Sequence, residues 1–511
     1  MALLSIVERR PEIIQGGMGV DVSSPRLAGA IAATGMAGVV SGTATGDVLA
    51  RRLQDGDCEV MAALSTLPDG NLVDRITDTY WNPHGRENKD RYRLIPRSFR
   101  IADQDGEVFP LYDERFPVTA EEMALAGAFM MVASAKKHAA LLAGDENKGR
   151  GPIGINLLTE LRMPTASTLY GAMLAGVDFV VMGAGIPSHI PKVLDKLTER
   201  EPAQVNIQVQ GTDSKYFADF DPRKYPGLAD GALERPDFLA IISLDTLGKR
   251  LASKDETRPN GFVVEHHTAG GHNAPPRGKK IVEGQAVYDE KDEPDFNALA
   301  KLDLPFWLAG SRGSTKGLKE AQGLGAVGVQ IGSLFALSNE SGMDPEIRVQ
   351  VLEAIRNGEL DIVKDAYASP TGFPFMVARK NGATWPDGDE QRACQASYLT
   401  SQHEVVDSTG RKRLVSSCPA EPTEVFLSKR KMTGTGEDQM EAERLRSQRA
   451  QCLCRKLLAT AGIGDRGMPA IVTLGGDAIE GVMRLDEAGK TGPDGSYGAK
   501  SVVDYVLNRA V

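Results

Sequence analysis

Short apolar, β-branched runs recur along this chain, each ending in glycine or a small polar residue and then giving way to helical periodicity. They are IIQGGMG (13–19), AGVVSG (37–42), PIGINLL (152–158), VDFVVMGAG (177–185), FLAIIS (238–243), GFVVEHH (261–267), LPFWLAG (304–310) and AVGVQIG (326–332). Because they do not alternate apolar with polar, they suit strands buried on both faces, as in a parallel sheet. Amphipathic stretches such as SPRLAGAIAATG (24–35) and IPKVLDKLTER (190–200) lie between them. Eight strand-helix units predict an α/β fold, a (β/α)8 TIM barrel spanning 1–368. A ninth run, NIQVQG (205–210), is expected outside the barrel. A doubly wound sheet is the competing architecture, but no strand here is followed by G-x-G-x-x-G with a later ribose-binding acid.

Two segments do not fit a minimal barrel. Residues 70–120, with TDTYWNPHGRENKDRYRLIPRSF, form a polar, aromatic and basic insertion after the second strand, suited to a lid or an interface. From Ser369 the β/α pattern stops, and 369–511 is expected to be a C-terminal, cysteine-containing subdomain.

Composition narrows the function. The chain has 511 residues, 41% hydrophobic and 25% charged, which is the balance of a globular protein. A net charge of −10 argues against nucleic acid or an anionic membrane as partner. No segment approaches roughly 18 uninterrupted apolar residues, and the start MALLSIVERRPEI is charged too soon for a secretory signal, so a cytoplasmic protein is expected.

In a barrel, chemistry sits in the loops after the strands, and every special glycine cluster here follows a strand. LAGSRG (308–313) and QIGSLF (330–335) place small residues between the last two strands and their helices, the usual setting for a phosphate. Gln15, Gly16, Gly17 and Met18 after the first strand would let a flat ligand lie on backbone. Asn156 offers an amide to the edge of a heterocycle. Together these features describe flavin mononucleotide (FMN) across the barrel mouth.

The order IIQGGMG, PIGINLL, TAGGHNAPPRG, LAGSRG and QIGSLF resembles the nitronate monooxygenase (2-nitropropane dioxygenase-like) family, which includes flavin-dependent enoyl-ACP reductases. The likeness runs over about residues 10–380. It implies an FMN-dependent oxidoreductase on a TIM barrel. Gly270, Gly271 and His272 would match the segment whose histidine faces the flavin and handles the substrate proton, and Gly310, Gly313, Gly332 and Ser333 would hold the phosphate. Where the family has Glu, this chain has Thr268, preceded by His266 and His267, so its substrate is expected to differ from a typical nitronate.

Neutral His272 can take or return a proton α to a nitro or carbonyl group, or on an enoyl substrate. The expected partners are a small-molecule substrate and either O2 or NAD(P)H as electron partner; oligomeric state is not legible. His266 and His267, adjacent on a strand, are expected on opposite faces, which argues against a zinc site with His272. Arg277 is a candidate grip for a substrate carboxylate or phosphate. Cys394, Cys418, Cys452 and Cys454 cluster in the last quarter without any C-x2-C, and read either as a zinc or iron-sulfur site or as separate buried thiols. The competing function is a non-redox phosphate-ligand barrel, an isomerase or lyase pairing Asp245 with His272.

Overall fold

The computed structural model describes residues 4–86, 91–97, 99–109, 116–144, 150–228, 231–278, 280–384, 392, 394, 396–406 and 408–509. The eight apolar runs form eight parallel strands: β1 (Ile13–Gln15), β2 (Gly38–Ser41), β3 (Ile153–Leu158), β4 (Phe179–Gly183), β5 (Asp237–Ile242), β6 (Gly261–Glu265), β7 (Phe306–Ala309) and β8 (Gly328–Ile331). They are hydrogen-bonded in chain order from β2 through β8 and on to β1. The ring closes where Gln15 N–H donates to Ala37 O at 2.9 Å and Ala37 N–H to Ile13 O at 3.0 Å. The chain is therefore a (β/α)8 barrel.

Alternation along each strand sends one set of side chains inward and the other to the helices. Ile14, Val39, Phe179, Val181, Leu239, Val263 and Trp307 fill the interior. The buried indole of Trp307 is satisfied by Pro11 O at 2.7 Å. The floor is closed by the short helix Ile6–Arg9, with Ser5 Oγ donating to Asp237 Oδ2 at 2.7 Å. Outside, the helix Ala120–Ala143 lies so close to Thr165–Leu174 that a Cβ on Gly171 would stand 2.0 Å from Leu125 O.

The ninth run lies outside the barrel, as its alternating burial fits. Ala203–Ile207 pairs with Tyr216–Phe220, and that strand pairs with Ile101–Asp103 of the insertion. The insertion thus supplies half of a four-stranded antiparallel sheet; its residues 87–90, 98 and 110–115 lie outside the described residues.

The described residues after Ser369 pack against the barrel. Val472, Val482, Val502 and Val503 belong to one hydrophobic core with Leu27 and Ile31 of the first barrel helix, Pro25–Ala33. Asp47, 2% exposed, takes a bidentate pair from Arg97 (2.5 and 2.6 Å) and the Tyr398 hydroxyl (2.7 Å), tying helix Thr45–Gln54, the insertion and the C-terminal segment together. Among the described residues no helix is long and apolar enough to cross a membrane.

Candidate functional site

The loops after the strands line a solvent-open cavity at the barrel mouth, about 1310 Å3 with its open space counted. Gly16, Gly17 and Met18 form one wall, Asn156 and Gly183 the next, and Gly270, Gly271 and His272 face them. Gly310, Gly313, Gly332 and Ser333 close the far end. Two of these glycines are steric necessities: a Cβ on Gly17 would lie 2.2 Å from Asn156 Cβ, and one on Gly16 3.0 Å from Gly332 Cα.

Gln15 does not line the cavity. It is fully buried, its Nε2–H donating to Ser23 Oγ and its Oε1 accepting from Val39 N–H, both at 3.0 Å. Its amide ties the β1 loop to β2, because the strand's alternation turns it toward the helices.

At the far end, Gly310 and Ser311 take successive left-handed conformations (φ 94° and 52°) ahead of the helix Thr315–Gly323. A stretch that sequence reasoning missed completes this end. Gly475 N–H donates to Ser333 Oγ at 2.7 Å, Gly476 N–H to Thr268 O at 2.8 Å, and Asp477 leads into the helix Ala478–Glu487. The signal was present: an apolar run and a Gly-Gly pair directly before a helix, in IVTLGGDAIEG. The Asp477 carboxyl accepts a hydrogen bond from the Gly313 backbone, and burial pushes its pKa up, so it reaches its neutral form more readily than an ordinary aspartate. Gln330 Oε1 points into the cavity, buried and without a partner among the described residues. Glycine-smooth walls, an orphaned acceptor and a far end rich in backbone N–H groups fit a flat hydrogen-bonding ring with an anionic tail.

His272 stands on a short bridge between the β6 loop and Phe375 of the strand Phe375–Lys380. Its Nε2 lies 2.7 Å from Ser369 Oγ, which lies 2.7 Å from Thr371 Oγ1. With Nε2 engaged by Ser369, Nδ1 is the ring nitrogen left without a hydrogen-bond partner among the described residues. Phe375 packs its ring 4.8 Å from the imidazole. Burial pushes the His272 pKa down to about 4, so the ring is a neutral base at pH 7.

His266 and His267 do not point to opposite faces. The strand ends at Glu265, and past it the two rings sit 4.0 Å apart over Glu293, 3.0 and 3.8 Å from its Oε1. Thr268 N–H donates to His266 Nδ1 and Lys364 Nζ to His267 Nδ1 (3.3 and 2.8 Å). Both protons are thereby placed on Nε2, aimed at the carboxylate. Among the described residues this trio alone gathers three candidate ligand atoms within 4.8 Å; His266 Nε2 is hydrogen-bonded to Glu293, while His267 Nε2 stands 3.8 Å from it, beyond hydrogen-bond range.

Cys394, Cys418, Cys452 and Cys454 line one small cavity beside Tyr398. Burial, then the neighbouring thiols, pushes Cys418 up to about 12 and Cys454 well above the ordinary range. No three of these sulfurs gather within 4.8 Å, whereas Zn–S bonds of ~2.3 Å set tetrahedral sulfurs about 3.8 Å apart. The structure brings the cysteines together, but not into a closed zinc cage. Asp245 and Arg277 stand away from the site. Asp245 is paired with Lys249 (2.8 Å), and Arg277 is exposed, its backbone N–H held by Asp292.

No family model matches the chain. Over 95 residues it is 35% identical to the probable nitronate monooxygenase of Bacillus subtilis, a stretch of 18% of this chain and 25% of that relative's length. Solved structures of similar outline include FabK from Thermotoga maritima (TM-score 0.44, 14% identity, 98% of this chain and 93% of that one). Nitroalkane oxidase from Streptomyces ansochromogenes is another (TM-score 0.41, 12% identity, 98% and 95%). At sequence level the likeness is local, confined to that stretch of a probable nitronate monooxygenase.

Proposed function

We propose that this chain is an FMN-dependent oxidoreductase that moves a proton, through His272, on a small nitro, carbonyl or enoyl substrate. The observation that carries the reading is the placement of a neutral, hydroxyl-oriented imidazole on the wall of a glycine-lined barrel mouth. The local likeness to a nitronate monooxygenase supports it.

Gly16, Gly17, Asn156 and Gln330 would take the flavin ring, and Gly313, Ser333 and the Gly475–Gly476 loop its phosphate. When bound, FMN supplies the electron acceptance and return that no side chain can. His272 Nδ1 takes the α-proton or gives one back, and Ser369 holds the ring in the tautomer that leaves Nδ1 open. Phe375 and Leu457 exclude water beside it. Thr268, where the family has Glu, is occupied with His266 Nδ1 at 2.8 Å, so that acidic group is missing from its usual place and the substrate differs accordingly. A metal at the four cysteines is not part of this reading.

The test is purification with FMN supplied, followed by anaerobic mixing with NADPH or with an alkyl nitronate. Bleaching by NADPH makes the chain a reductase and bleaching by the nitronate alone an oxidase. Protein that never takes up FMN overturns the proposal and leaves the non-redox barrel.

A further inference from the structure

The last residue of β6 is an acid in an apolar strand. Glu265 shares the parity of Val263, which fills the barrel interior, so its side chain points along the barrel axis. It emerges at the floor of the mouth cavity, which His272 also lines. Among the described residues no group hydrogen-bonds its carboxyl. The residue is half-buried against the cavity, yet its carboxyl is desolvated and unpaired, and such a group costs stability.

Resting on the oxidoreductase reading above, we infer that Glu265 is a second catalytic residue, the proton donor that complements His272. In the step envisaged, the substrate's α C–H bond breaks and its proton goes to His272 Nδ1. The electron pair moves toward the nitro or carbonyl oxygen, and the Glu265 O–H gives its proton to that oxygen. The products are the enol-type acid, imidazolium and Glu265 carboxylate; in the reverse direction each proton retraces its path.

The electrostatics agree. Burial alone pushes the Glu265 pKa up to about 8, while burial pushes His272 down to about 4. Two groups on one cavity whose ionisation is driven apart in this way are an acid and a base at the same pH. The ionisable groups around Glu265 are His266, His267, Tyr288 and Asp292, which line a second small cavity with it, Lys364 over the Tyr288 ring, and His272, Arg312 and Asp477 around the mouth cavity. None of them supplies a cause for its shift; Glu265 in turn helps raise the Tyr288 phenol.

The test compares wild type with Glu265→Gln, both loaded with FMN, using nitroethane with O2 and a 2-enoyl thioester with NADPH as probes. The expected result is unchanged FMN affinity, turnover lower by about 100-fold, and loss of the alkaline limb expected near pH 8 in wild type. Infrared difference spectra between the two proteins read the same group without turnover: a protonated carboxyl at pH 6 that ionises on passing to pH 9. An ionised Glu265 at pH 6, or a variant with wild-type turnover and limb, overturns the assignment of Glu265 alone. A wild type that binds FMN yet acts on neither probe overturns the oxidoreductase reading, and this assignment with it.

Discussion

Ser369 Oγ lies 2.7 Å from Nε2 of His272, across 97 residues of chain, and it decides which ring nitrogen is free. The histidine proposed as the base belongs to the barrel, and the hydroxyl bonded to it belongs to the segment after it. Replacing His272 by Ala or Asn should keep FMN bound and lower turnover by about 100-fold or more. Ser369→Ala should cost about five- to tenfold, the worth of one neutral hydrogen bond of ~1 kcal/mol. Steady-state kinetics with flavin occupancy measured in parallel separates the two effects; full activity in the His272 variants would remove it from the mechanism.

Gly17 has no room for a side chain, since a Cβ would sit 2.2 Å from both Cβ and Cγ of Asn156. Gly17→Ala should push Asn156 off the cavity wall, weaken FMN binding and destabilise the fold by about 1–3 kcal/mol. Fluorescence titration with FMN and a thermal melt check both parts.

His403 is buried, with Nε2 3.1 Å from Ser417 Oγ and Arg430 Nη1 at 3.3 Å. Burial, and then Arg430, pushes its pKa down from 6.5 to about 4. The unfolded chain therefore binds a proton that the folded protein refuses. Stability from this group is present above pH 6.5 and is lost as pH falls through about 4. His403→Asn should flatten the stability curve across that window in urea titrations, and an equally steep acid loss would exclude His403 as its source.

The thiols should react unequally. Cys58 and Cys394 are exposed, whereas burial keeps Cys418 and Cys454 protonated at neutral pH. Brief iodoacetamide treatment of native protein, read by peptide mass spectrometry, should label Cys58 and Cys394 first and leave Cys418 and Cys454 unmodified until denaturant is added.

The eight strands, the extra run outside them and the glycine loops at the mouth are all determined by the sequence alone. A strand buried on both faces must be an apolar run, and a loop approached by a flat ligand or another loop must lack Cβ atoms, so both leave marks that need no partner to be read. His272 is equally legible, because its Gly-Gly-His setting is local. What only the tertiary structure decided depends on segments far apart in the chain. Ser369 meets His272 across 97 residues and Gly475 meets Ser333 across 142, so the segment expected to be a C-terminal subdomain reaches the mouth cavity. Glu265 looks like an ordinary strand-end acid until the barrel closes and its parity aims it along the axis. The chain's turn after Glu265, rather than strand geometry, brings His266 and His267 together over Glu293, since two adjacent residues face apart only while the strand continues.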